Sequence, residues 1–144
     1  MEKKELELYI HIPFCVRKCN YCDFLSFPAD EDTQRQYVKA LCKEIFYYGA
    51  HCRDYVVSTV YIGGGTPSWL WESDMAEIMD AVHKNFALLP DAEVSVECNP
   101  GTVTAQKFAV YRQSGINRIS LGLQSAQNVE LKMLGRIHTW EQFL

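Results

Sequence analysis

The sequence predicts an α/β fold, with four successive βα units forming a parallel sheet and the helices outside it. Three observations carry this expectation. Strand-like and helix-like periodicities alternate along the 144 residues. The first, third and fourth strands each have one apolar face and one small or polar face. The residues best suited to chemistry fall where strands end. The composition, 48% hydrophobic and 22% charged, suits one globular unit.

The first strand covers about Leu6–Ile12, where Leu8, Ile10 and Ile12 alternate with Tyr9 and His11. A helix from about Asp32 to Tyr48 places Tyr37, Leu41, Ile45 and Tyr48 at helical spacing. Val56–Ile62 is the second strand and runs into the turn Gly63-Gly64-Gly65-Thr66-Pro67. The next helix, about Glu72–Phe86, carries Met75, Ile78, Met79, Val82 and Phe86 on one face. Glu93–Cys98 is the third strand. Thr104 caps a helix that stops at Gly115. Arg118–Leu123 is the fourth strand, with Ile119, Leu121 and Leu123 alternating with Ser120, Gly122 and Gln124. Helical pieces are expected over about Asn128–Leu134 and from about Thr139.

A parallel sheet covered on both faces reads as continuous apolar runs. A small or polar second face instead favours a lined cavity, as inside a curved barrel. Four strands leave the last edge open, so the chain is expected to be the N-terminal part (residues 1–144) of a longer core domain.

A formal charge of −4 argues against a nucleic-acid partner, which needs clustered Lys and Arg. No apolar run reaches the ~18 residues of a membrane span. Cysteines without a secretory signal point to a reducing cytoplasm.

The most informative segment is Cys15 to Cys22, with Cys15, Cys19 and Cys22 spaced C-x3-C-x2-C just after the first strand. Three thiolates from one short loop can hold three corners of a [4Fe–4S] cluster, leaving one iron open to a small molecule. Closed zinc sites want four ligands, often from two C-x2-C pairs, and there is one such pair here. His11 could be a fourth zinc ligand, although it sits within a strand. Disulfides are a third reading of six cysteines. The spacing favours the cluster. Cys42 and Cys98 read as small buried apolar residues, and Cys52 has no matching partner.

Ligand sites in βα folds lie at the C-terminal strand ends. The cysteine loop follows strand one, the glycine turn strand two, Glu97-Cys98-Asn99-Pro100 ends strand three and Gln124 ends strand four. The three glycines are expected to let a ligand approach the backbone and to expose N–H groups. The turn is neither a Walker A loop nor a complete G-x-G-x-x-G, since Ser68 stands at the last glycine position.

The cysteine spacing with Tyr21, and Gly63–Pro67, resemble the signatures of radical S-adenosylmethionine (SAM) proteins. Tyr9-Ile-His-Ile-Pro-Phe-Cys15, Glu97-Cys-Asn-Pro-Gly101, Gly115-Ile-Asn-Arg-Ile-Ser-Leu-Gly-Leu-Gln-Ser125 and Leu131-Lys-Met-Leu-Gly-Arg-Ile-His138 are similar to one branch of that superfamily. This branch holds the oxygen-independent coproporphyrinogen III oxidase group and its relative, the HemW-type heme chaperone group. The oxidase group has a fourth cysteine two residues after the third, where this chain has Phe24, and a longer N-terminal extension. Both departures look like the HemW type.

The resemblance implies a partial (β/α) barrel, here spanning about four βα units. It implies a cluster on Cys15, Cys19 and Cys22. It also implies SAM contacts from Tyr9, Gly64, Gly65, Thr66, Glu97, Gln124 and Arg136, with Tyr21 beside the adenine. In the oxidase group, an electron from the cluster cleaves SAM to a 5′-deoxyadenosyl radical, which starts decarboxylation of porphyrinogen propionates to vinyls. In the HemW group, cluster and SAM are retained while the work becomes heme binding and delivery to heme-requiring proteins. An electron donor such as flavodoxin or ferredoxin is a further implied partner, and any heme site would lie beyond residue 144. A zinc-stabilised interaction module is the competing expectation of a different class.

Overall fold

The computed structural model describes residues 3–14, 30–99 and 102–121. In chain order these form β1 (Lys4–Ile12), α1 (Glu31–His51), β2 (Tyr55–Gly64), a 3-10 turn (Pro67–Trp69), α2 (Glu72–Asn85), β3 (Leu88–Cys98), α3 (Ala105–Gln113) and β4 (Arg118–Leu121). The expected helical pieces after the fourth strand lie outside the described residues.

The four strands form one sheet in the order β1-β2-β3-β4, and every pair is parallel. Each right-handed crossover therefore steps the same way, and that puts successive helices on the same face. A doubly wound sheet would reverse its order and place helices on both faces. The buried cluster agrees with the one-sided arrangement. Ile10, Ile12, Val60, Ile62, Val94 and Val96 meet Val38 and Ile45 of α1, Met75, Ile78, Met79 and Val82 of α2, and Phe108 and Tyr111 of α3. The alternate positions, Tyr9, His11, Tyr61, Ser95, Glu97 and Ser120, fall on the second face. Period-two alternation makes these two sets inseparable, because a one-residue slip would exchange them.

Helix ends follow local chemistry. Asp30 caps α1 by accepting the Thr33 N–H at 2.8 Å, and Glu31 and Asp32 add negative charge to the first turn. Thr104 caps α3 by accepting the Lys107 N–H at 3.1 Å. Gly115 has φ +98°, which suits the residue that ends the helix.

Two boundaries and one helix face differ from expectation. β2 continues through Gly63 and Gly64, which pair with His11 and Ile12 of β1, so part of the glycine turn is strand. β3 begins at Leu88, which pairs with Val57. A register shift between Val57 and Thr59 then takes up the residues around Pro90 and Asp91, and these interrupt the alternation. On α1, Tyr48 is 52% exposed, whereas Gln34 is buried beside Val38 and Ile45. Cys98 is buried as expected, and Cys42 and Cys52 are half-buried.

Candidate functional site

The site is assembled where β1, β2 and β3 end. β1 runs through Ile12 to the fully buried Phe14, the residue before Cys15. The Gly65 N–H donates to the Ile12 carbonyl at 2.8 Å, and the Thr66 N–H donates to the Phe14 carbonyl at 2.6 Å. The glycine turn is therefore a continuation of the β1–β2 ladder, bonded to the segment that enters the cysteine loop.

This geometry corrects one expectation. The N–H groups of Gly65 and Thr66 are not available to a ligand, because the Ile12 and Phe14 carbonyls accept them. Gly65 is required for another reason as well: a Cβ there would lie 2.5 Å from the Phe14 carbonyl oxygen. At Gly64, φ is +119° and a Cβ would meet the Ile12 carbonyl oxygen at 2.7 Å and the His11 ring at 2.8 Å. Only glycine suits such a backbone. Gly63 is the glycine that makes room on the second face. A Cβ there would meet Glu97 Oε1 at 2.7 Å, so the Glu97 carboxylate lies over it.

The second face carries a connected set of polar and aromatic groups. Tyr9 and Tyr61 are register partners, and their rings stack 6.1 Å apart at 13°. The Tyr61 O–H donates to Glu97 Oε1 at 2.8 Å. The Tyr9 hydroxyl and His11 Nδ1 are 3.2 Å apart. Burial raises both phenol pKa values above their usual range, and the nearby Glu97 carboxylate raises them further. Both phenols therefore remain protonated donors at neutral pH. Tyr9 is 59% exposed and Tyr61 36%, so this face is accessible to a ligand.

A second network ties the glycine turn to the end of β3. Ser68, fully buried, accepts the Asn99 N–H at 3.0 Å and shares a hydrogen bond with the Thr102 hydroxyl. The Lys107 ammonium donates to the Ser68 carbonyl and, at 2.8 Å, to the Thr102 carbonyl. Burial lowers its pKa, since desolvation disfavours the charged form. Two carbonyl acceptors make that half-buried cation tenable.

Of the residues singled out from sequence, Tyr9, Gly64, Gly65, Thr66 and Glu97 lie together at this corner. Cys15, Cys19, Cys22, Tyr21, Gln124 and Arg136 lie outside the described residues. Among the described residues, no group of three or more His, Cys, Asp or Glu side chains could hold a metal. Cys98 points into the core, and burial pushes its thiol pKa up to about 12. Sequence reasoning missed Tyr61, Ser68, Thr102 and Lys107. Tyr61 was detectable through its parity with Gly63, two residues on. An aromatic in an apolar run reads as core, however, and nothing local marks Lys107 as the partner of a turn 39 residues away.

No described helix is long and apolar enough to cross a membrane.

Comparison with known proteins gives a consistent picture. The profile of the Radical SAM superfamily matches residues 9–144. The chain is 46% identical over 134 residues to the Escherichia coli K12 protein named heme chaperone HemW, covering 92% of this chain and 35% of that protein. The Mycobacterium tuberculosis H37Rv protein of the same name is 41% identical over 135 residues, and the Bacillus subtilis 168 protein 35% identical over 133. The chain thus spans about a third of the length of these relatives. Among solved structures, the Escherichia coli coproporphyrinogen III oxidase HemN, described as a radical SAM enzyme, matches with a TM-score of 0.80 and 32% identity. That match covers 94% of this chain and 31% of HemN.

Proposed function

The chain belongs to the radical SAM superfamily and, within it, to the group of coproporphyrinogen III oxidase-like and HemW-type proteins, and we propose that it is a HemW-type heme chaperone. In this reading residues 1–144 are the first part of a radical SAM core. That core binds a [4Fe–4S] cluster and SAM, and the whole protein binds heme and hands it to heme-requiring proteins in the cytoplasm.

One observation carries the cofactor reading: the Gly65 and Thr66 N–H groups bond the carbonyls of Ile12 and Phe14, immediately before Cys15. That pairing holds Phe14, the residue before Cys15, against the glycine turn, and the Glu97 carboxylate lies over Gly63 of the same turn. The residues suit the group. Cys15, Cys19 and Cys22 would hold the cluster, and a reducing compartment keeps thiols available. A cluster held this way supplies an open iron position for SAM and, when reduced, one electron.

The chain's own residues then bind and orient. With its N–H groups occupied, the glycine turn can offer carbonyl oxygens, which suit an ammonium group. Glu97 adds a carboxylate for a cationic or hydroxyl-bearing part of SAM. Tyr9 supplies an aromatic surface at the mouth of the site. Gln124 and Arg136 would complete the contacts from beyond β4, and Tyr21 would lie beside the adenine.

The chaperone reading over the oxidase reading is supported by Phe24, which stands where the oxidase group has a fourth cysteine, and by the HemW relatives at 35–46% identity. The test uses the full-length protein with its cluster reconstituted anaerobically. It should bind heme, seen as a Soret band, pass it to a heme-free acceptor, and leave coproporphyrinogen III unchanged in the presence of SAM and reduced flavodoxin. Formation of protoporphyrinogen IX would identify an oxidase instead.

A further inference from the structure

We propose that Tyr61 is a positioning residue for the SAM site: its hydroxyl fixes one oxygen of the Glu97 carboxylate and so aims the other at the ligand. This rests on the reading of the second face as the SAM site and adds a residue which that reading does not contain.

A glutamate side chain is rich in rotamers, and holding it in one of them costs conformational entropy. At Glu97 three contacts restrict it. Tyr61 donates to Oε1 at 2.8 Å. The missing side chain of Gly63 gives the carboxylate a seat, with Oε1 2.7 Å and Cδ 3.1 Å from where a Cβ would be. The strand itself directs the residue toward the second face, between the buried Val96 and Cys98. Oε2 is then the oxygen left to meet a ligand.

Tyr61 is itself held in place. Its ring stacks on Tyr9, its register partner on β1. On the other side of Glu97, Ser120 of β4 is its register partner on the second face. β1 and β2 therefore supply the ring stack, the hydroxyl and the glycine seat that orient a carboxylate carried by β3. Preorganisation of this kind favours binding because the ordering cost is met before the ligand arrives.

Tyr61→Phe removes the hydroxyl and keeps the ring stack, so folding is preserved. SAM binding to the anaerobically reconstituted full-length protein is read by calorimetry for the parent, Tyr61→Phe, Glu97→Gln and the double variant. Tyr61→Phe is expected to bind SAM on the order of tenfold more weakly, the loss of one hydrogen bond to a charged group. Its iron and sulfide content and its melting temperature should be unchanged. In the Glu97→Gln background the same change should cost less than about twofold, because the carboxylate it positions is gone. Parent-like binding by Tyr61→Phe overturns the inference alone. So does a double variant weakened about tenfold below Glu97→Gln, since the hydroxyl would then act elsewhere. A full-length parent that carries its cluster and binds no SAM, or a Glu97→Gln variant with full affinity, overturns the site reading and the inference together.

Discussion

On one face of the sheet Ile10, Ile12, Val60, Ile62, Val94 and Val96 meet three helices, while the alternate positions carry Tyr9, His11, Tyr61, Ser95 and Glu97. The first set is buried apolar surface, which drives folding roughly in proportion to its area. The second is held by hydrogen bonds and one ring stack, which contribute much less to stability and much more to the chemistry the surface can recognise. Adjacent residues of one strand thus carry different burdens. Substituting Ile62 should be felt in stability, and substituting Tyr61 in binding.

The largest expected effect lies in the cysteine loop that follows β1 in the sequence. Changing Cys15, Cys19 or Cys22 to Ala should abolish the cluster, because no other thiol can replace it. Cys98 is sealed in the core, and Cys42 and Cys52 belong to α1 and its C-cap, on the helix-covered side. Changing any of those three should leave iron and sulfide counts at parent level. Full cluster content in Cys19→Ala would break the assignment.

Next in size is the core face. Ile62→Ala should destabilise the chain by about 2–5 kcal/mol in denaturant unfolding, the usual cost of opening a cavity. Tyr61→Phe should change stability by less than about 1 kcal/mol, because its ring and stacking remain and the Glu97 oxygen it releases lies on an exposed bond that water can replace. Equal costs at the two positions would mean that the second face is also core.

Gly65→Ala joins the two regions. Its new Cβ would collide with the Phe14 carbonyl, so the end of β1 must shift and carry Cys15 with it. Loss of both cluster content and SAM binding is expected, whereas a ligand-facing glycine would lose SAM binding alone. Lys107→Met is milder. It leaves the Ser68 and Thr102 carbonyls without their donor, at about 1–3 kcal/mol of stability. It should loosen the turn and weaken SAM binding without removing the cluster, as iron analysis and calorimetry on one sample would show.

Much of this arrangement was legible in the sequence. The apolar positions of β1 and α2 and the caps at Thr104 and Gly115 depend on periods and local chemistry that a single chain displays. So did the polar second face, since Ser95 and Glu97 alternate with Val94 and Val96. What escaped depends on contacts distant in sequence. Gly63 and Gly64 read as turn, but β1 offers them ladder partners, and pairing outweighs their poor strand propensity. Gly65 suggested an approach for a ligand, but the approaching group is Phe14 of the same chain. Tyr61 and Lys107 find their partners 36 and 39 residues away, a separation no local pattern encodes.

The central claim is that the second face, at the ends of β1 to β3, holds SAM against a cluster carried by the adjoining loop. Calorimetric titration of SAM into the anaerobically reconstituted full-length parent and its Glu97→Ala variant, at matched iron content, tests it most directly. The account predicts one SAM bound per cluster in the parent. It predicts binding weaker by about 1.5–3 kcal/mol in Glu97→Ala, the contribution of a hydrogen bond to a charged group. Equal affinity in the two chains would contradict it.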